Sequence, residues 1–228
     1  MPKSTLKWRK VANGIWKAKA GTRTGQSYLK AAGSSVAKKS LAEMADEQFP
    51  FPADAITARK TGGRRVLSIP CEQEEQLFGL GLNFKSLQVQ QTVRHLHSDH
   101  FGGSDNGRTH TPVPFYVSSE GYGVFVDLAR YIDVYANCTN RKDNAPEPVD
   151  RFPTHPNGKQ WKDVQPGSAV EISMPESGAE VYLIAGPALL DVVRRFNLLC
   201  GGGCLPPVWG LGFWQRSNVE FNSEKAEN

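Results

Sequence analysis

The stretch His95–Phe115 reads HLHSDHFGGSDNGRTHTPVPF, and two readings compete for it. It holds four of the five histidines of the chain, together with Asp99, Asp105 and three glycines. Imidazoles two apart, at His95 and His97, can turn toward one cation from a tight loop. Asp99 and His100 can turn toward a second. Neutral imidazole and carboxylate are good zinc ligands, and a zinc-bound water loses its proton near neutral pH. A zinc hydrolase using His95, His97, Asp99 and His100 is therefore one reading. The other is a polar loop whose histidines carry no ligand.

The run His-x-His-x-Asp-His, followed by Gly102-Gly103, resembles the metal-binding loop of the metallo-β-lactamase superfamily. Its surroundings do not. That fold sets the motif after a buried apolar strand, whereas Gln88–Arg94 alternates and is mostly polar. The glycines should open a helix, but Ser104-Asp105-Asn106-Gly107 is a turn run with Pro112 and Pro114 close behind. Further ligands are needed downstream, and only His110 and His155 remain, the latter between Pro153 and Pro156. The polar-loop reading of His95 and His97 is the stronger one. No metal or other cofactor is expected.

With 228 residues the chain is long enough for one large domain or one and a half. Its 22 glycines and 15 prolines suit a turn-rich β protein better than a helical bundle. No apolar run approaches the ~20 residues of a membrane span, so no membrane partner is expected. The start, Met1–Trp8, has no apolar core like that of a secretion signal, which points to the cytoplasm. Cys200-Gly-Gly-Gly-Cys204 allows a small disulfide, but without a secretory signal reduced structural cysteines are the better reading. Residues 1–65 carry +10 and residues 66–228 carry −6. The basic residues are scattered among alanines and glycines without a nucleic-acid module, so a solvated surface is expected and no nucleic acid.

Along the chain, residues 1–65 form a poorly defined basic segment expected to join the strands on its carboxyl side. Trp8, Val11, Ile15 and Trp16 suggest short strands there, and Ser34–Gln48 a short helix. Arg64–Pro70 reads as a strand. Pro114–Ser118, Gly123–Asp127, Tyr131–Tyr135, Ala169–Met174 and Val181–Ile184 come next as short strands between Gly and Pro turns, the mark of an antiparallel β-sandwich. The period then changes. Pro187 suits the first turn of a helix, and Leu189, Leu190, Val193, Phe196 and Leu199 recur at helical spacing, with Arg194 and Arg195 on the wet side. Gly201-Gly202-Gly203 ends that helix. After the rigid Leu205-Pro206-Pro207, the run Val208–Trp214 looks like a buried strand, and Ser223–Asn228 like the first turn of a helix.

Several short motifs stand in a telling order: Phe78-Gly79-Leu80-Gly81; Pro114-Phe115-Tyr116 with Gly121–Phe125; Val181–Pro187; Asp191–Phe196; and Leu205–Arg216. Over about residues 76–228 the chain resembles glycoside hydrolase family 31, the α-glucosidases, α-xylosidases and their relatives. The resemblance implies an antiparallel β-sandwich of the galactose-mutarotase type, here residues 66–204. After it comes the start of a catalytic (β/α)₈ barrel, here 205–228. Such a barrel needs about 250 residues, so the chain is expected to be the amino-terminal part of a glycosidase, inactive alone, with the barrel portion of the same polypeptide as its partner.

The resemblance also implies the chemistry. The family hydrolyses α-glycosides with retention, using two carboxyl groups ~5–5.5 Å apart. Both lie on later barrel strands, so no catalytic residue is assigned here. What this piece offers is pocket wall for an α-linked glycoside or oligosaccharide. Asp99, Asp105, Asn106 and Arg108 suit a sandwich loop reaching over the active site. Trp214, Gln215 and Arg216 suit the carboxyl end of a first barrel strand, where barrel sites gather. A stand-alone carbohydrate-binding module is the alternative.

Overall fold

The computed structural model describes residues 4–22, 26–52, 54–83, 86–98, 108–138, 168–175, 177–203 and 205–212. In chain order its strands are β1 (Ser4–Thr5), β2 (Arg9–Ala12), β3 (Ile15–Gly21), β4 (Thr57–Thr61), β5 (Arg64–Pro70), β6 (Leu77–Gly79) and β7 (Thr92–Ser98). They continue as β8 (Arg108–Thr109), β9 (Phe115–Ser118), β10 (Tyr122–Asp127), β11 (Asp133–Ala136), β12 (Ala169–Pro175) and β13 (Gly178–Ala185). The helices are α1 (Tyr28–Ala31), α2 (Lys38–Ala42) and α3 (Leu189–Leu199). One sheet has seven strands in the order β1-β4-β5-β12-β11-β7-β8, and the other six in the order β2-β3-β13-β10-β9-β6.

Alternation along the strands builds the core between the sheets. Leu67, Ile69, Val134 and Ile172 point inward from the seven-stranded sheet, and Val124, Val126, Val181 and Leu183 from the six-stranded one. A second apolar layer covers the outer face of the six-stranded sheet. There Phe115, Phe125, Tyr182 and Ile184 meet Val192 and Leu199 of α3 and Leu41 of α2. Phe196 stacks on Phe115 with ring centroids 3.9 Å apart. β10 and β13 are thus buried on both faces, which is why they read as near-continuous apolar runs. Each such side chain contributes about 1.5–3 kcal/mol of burial.

The basic front of the chain supplies strands to both sheets. β1 and β4 lie in the seven-stranded sheet, β2 and β3 in the other. β3 pairs with β13 from Ile15↔Ile184 to Gly21↔Gly178.

Four expectations need correction. The sandwich is not wholly antiparallel, because β7 and β8 run parallel. The helix expected over Ser34–Gln48 shortens to Lys38–Ala42, since Phe49 is drawn into ring contacts with Trp8 and Trp16 that an extended segment reaches. Arg195 is not on the wet side but 1% exposed, with Nη2 donating to the Ala45 carbonyl at 2.6 Å. Room for it comes from Gly14, where a Cβ would stand 2.7 Å from Arg195 Nε. Finally, the start of the expected strand Val208–Trp214 is a 3-10 turn over Val208–Leu211, closed by Gly210 N–H donating to Pro207 O at 2.8 Å. Val208 is 87% and Trp209 74% exposed. A buried strand needs neighbours, and no strand pairs with this run among the described residues. Residues 213–228 lie outside the described set.

Candidate functional site

The polar stretch from His95 to Phe115 is split by the fold. His95 and His97 were expected in a loop, yet both stand on β7. The ladder of Arg94–His95 with Val134–Asp133 of β11 extends the strand to Ser98. β8 returns beside it, with His95 opposite Arg108 and Ser98 opposite Thr109. The segment 99–107 therefore leaves and re-enters the sheet at neighbouring points, on the edge that β8 forms. Asp99, His100, Asp105 and Asn106 lie outside the described residues. Arg108, half-buried, begins β8. The return path is seated firmly. Thr109 Oγ1 donates to Leu82 O at 2.7 Å. Gly81, at φ +102°, lies so close to Thr111 that a Cβ would stand 2.1 Å from its carbonyl oxygen. The motif Phe78-Gly-Leu-Gly thus serves the base of this loop.

Beside the loop base, the outer face of the seven-stranded sheet carries a charged row. His95 Nδ1 lies 2.8 Å from Asp133 Oδ1, and Arg64 Nη2 donates to Asp133 Oδ2 at 2.9 Å. Arg64 Nε also donates to Ser173 Oγ at 2.8 Å. Arg59 pairs with Glu171 at 2.6 Å along the same face. The Asp133 carboxylate orients the His95 ring, but Arg64 shares that carboxylate, so the group is an ion-pair strip rather than a relay. His97 packs edge-on to Tyr131 at 4.3 Å, and its buried Nδ1 has no hydrogen-bond partner. Among the described residues no three His, Cys, Asp or Glu side chains gather to hold a metal. Asp133 and Arg64 were not singled out in the sequence. The alternation of Tyr131–Tyr135 did carry the signal, since it puts Asp133 on the face opposite Val134.

A second titratable cluster is sealed inside. The Glu75 carboxylate is 3% exposed and accepts from Ser118 Oγ at 2.5 Å, from the Tyr122 hydroxyl and from the Glu72 amide at 3.0 Å. Burial, and then Glu75, push the neighbouring Cys71 thiol far above its ordinary range. A thiol held neutral is no nucleophile. Burial likewise raises Tyr122, with Tyr116 adding to it. Cys71, Cys138 and Cys200 carry free thiols. Cys204 lies outside the described residues, as do Trp214, Gln215 and Arg216.

No family model matches the chain. Known proteins do. The α-xylosidase XylQ of Lactiplantibacillus pentosus is 30% identical over 155 residues, 68% of this chain and 16% of that protein. An α-xylosidase of Emericella nidulans is 26% identical over 151 residues, again 16% of its length. The matched stretch is thus about a sixth of either relative. Among solved structures, a Flavobacterium johnsoniae dextranase of glycoside hydrolase family 31, complexed with glucose, superposes with a TM-score of 0.58 at 15% identity, over 91% of this chain and 27% of that one. The cycloalternan-forming enzyme of Listeria monocytogenes, in complex with a pentasaccharide substrate, gives 0.51 at 12% identity, over 92% and 21%. The fold is mainly β and matches an amino-terminal domain of the dextranase's family. The chain is similar to the amino-terminal part of glycoside hydrolase family 31 enzymes.

Proposed function

We propose that the chain is the amino-terminal portion of a retaining α-glycosidase that hydrolyses O-glycosyl bonds, with the catalytic carboxylates carried by a barrel outside these 228 residues. The observation that supports this most is the agreement of two comparisons. The sequence is similar to α-xylosidases, and the two-sheet fold matches a family 31 dextranase over 91% of the chain. In this reading the sandwich holds the segment 99–107 at a fixed edge, with Arg108 at its root. Asp99, Asp105, Asn106 and Arg108 meet sugar hydroxyls at the rim of the pocket, and Trp214, Gln215 and Arg216 line its wall. The substrate is an α-linked glycoside or oligosaccharide, and the 228-residue chain alone does not turn it over.

The test is the size of the natural product. Immunoblotting of source cells with an antibody to this chain should show a band several times larger than 25.1 kDa. The purified long form should hydrolyse an aryl α-xyloside or α-glucoside, while the 228-residue chain does not. A natural band at 25.1 kDa, or turnover by the short chain, overturns the reading.

A further inference from the structure

At the other end of β7 from Ser98, the chain passes from one sheet to the other. Gln88 bridges to Phe78 at the edge of the six-stranded sheet, and Thr92 opens β7 in the seven-stranded one. Val89 pins the crossing. It is fully buried, and its amide donates to Leu77 O at 2.8 Å. With Val89 inward, Gln88 and Gln90 must face outward. The crossing ends on Gln91, whose φ of +55° is unusual for a residue with a side chain. Its amide is held by Ala136 O at 2.6 Å. Strained backbone of this kind gathers at functional sites.

The crossing borders an open cleft of about 640 Å³, within the size range of ligand sites. Its described wall is made of amides and hydroxyls: Gln73, Gln76, Gln88, Gln90, Gln91 and Thr92, with Glu74 as the single charged side chain among the described lining residues. The amides are linked. Gln88 Nε2 donates to Gln90 Oε1 at 3.1 Å, and Gln90 Nε2 donates to Gln73 O at 2.6 Å. Each carboxamide carries two N–H donors and an acceptor oxygen. One N–H and the carbonyl of Gln88, and the second N–H of Gln90, thus remain to meet a ligand.

We infer that this cleft is a binding subsite for a neutral sugar, separate from the place where a glycosidic bond would be cut. Neighbouring ring hydroxyls each donate and accept, and a row of planar amides answers both roles. A nearly uncharged wall selects neither an anion nor a cation. Among the described lining residues there is no aromatic or aliphatic side chain to meet a lipid or an apolar peptide anchor. The length of β7 sets Thr92, at the cleft, about 20 Å from Ser98, where the strand ends. An oligosaccharide held here would be tethered by one end while another part of it, or another molecule, meets the loop. The choice of a sugar over other neutral polyols rests on the glycosidase reading.

The test uses the ¹⁵N-labelled 228-residue chain and isomaltotriose. Titration into the high millimolar range should shift the side-chain amide signals of Gln88 and Gln90 saturably. The double variant Gln88→Ala/Gln90→Ala should weaken binding about tenfold or more, the loss of one or two hydrogen bonds. Gln88 is exposed and Gln90 half-buried, so the unfolding midpoint should move little. Absence of saturable shifts, or shifts of equal affinity in the double variant, overturns the subsite. Failure of the glycosidase reading is separate, since it is decided by product mass and by hydrolysis rather than by these spectra.

Discussion

The Nδ1 atom of His95 and the Oδ1 atom of Asp133 meet at 2.8 Å across two neighbouring strands, and the other oxygen of Asp133 is held by Arg64. His95 and Asp133 face each other in the ladder between β7 and β11. The contact therefore locks the register of the strand that carries the loop. Asp133→Ala should cost about 1–3 kcal/mol, because it takes the carboxylate from His95 and leaves Arg64 only the hydroxyl and carbonyl of Ser173. A double-mutant cycle with His95→Ala should return a coupling above about 0.5 kcal/mol by chemical denaturation. Additive losses would mean that the pair holds nothing.

Arg195 makes a second, sharper case. Its Nε and Nη1 have no hydrogen-bond partner, although the residue is buried under Gly14 and Gly186. Its ion partner, Glu47, stands 3.7 Å from Nη2, and replacing a buried ion-paired charge by an apolar side chain of similar length is often neutral or stabilising. Arg195→Met should stay within about 1 kcal/mol of the parent. Arg195→Ala, which leaves the same space empty, should lose about 2–4 kcal/mol. Urea unfolding of the two variants separates packing from charge.

Alkaline pH should unfold the protein. Burial, with Asp127 adding to it, pushes the Cys200 thiol from 9.0 up to about 11. Between those values the unfolded chain has released a proton that the folded chain still holds, so stability falls as pH rises. Tyr122 and Cys71 are raised as well and act in the same direction. The denaturation midpoint should drop from about pH 9 to 11, and Cys200→Ala should flatten part of that slope. A midpoint constant over this interval would contradict the burial of these groups.

The apolar residues in and just before the 3-10 turn should make the chain self-associate. Leu205 is 97% and Leu211 70% exposed, and exposed apolar clusters promote association. Leu205→Glu with Leu211→Glu should lower the light-scattering mass at high concentration, with stability changed by no more than about 0.5 kcal/mol. A loss of stability would place both side chains in a packed site.

The loop itself can be probed only in a long, active form. Alanine at Asp105, Asn106 or Arg108 should raise KM for an oligosaccharide about tenfold per lost charged hydrogen bond, with the unfolding midpoint unchanged. Unaltered KM and kcat in all three variants would remove the loop from the substrate.

The fold was legible where burial is one-sided. Ala169–Met174 alternates because β12 faces the core with Val170, Ile172 and Met174 only. The helix Leu189–Leu199 was legible through Leu189, Phe196 and Leu199, but Leu190 and Val193, read into the same stripe, are exposed, and Val192 takes the buried place. Arg195 misled because charge normally marks the wet face. Here a cradle of two glycines, 181 and 9 residues away in sequence, accepts the guanidinium, and no local pattern reveals that. The start of the run, Val208–Leu211, misled because an apolar β-prone sequence declares what it can do with partners, while the partners decide whether it does. His95 and His97 were read by residue type, whereas their place was set by pairing with β11, a long-range event. The row Arg64–Asp133–His95 escaped notice for the same reason.

The pairing of β3 with β13 has a consequence for biosynthesis. At about 5–20 residues per second, a ribosome needs roughly 10–30 s to pass from Ile15 to Gly178. For that interval β2 and β3 have only each other, and the six-stranded sheet cannot close until β13 emerges. During synthesis the amino-terminal strands wait as open edges of a sheet whose centre has not yet been made, and chaperone demand should fall in that window.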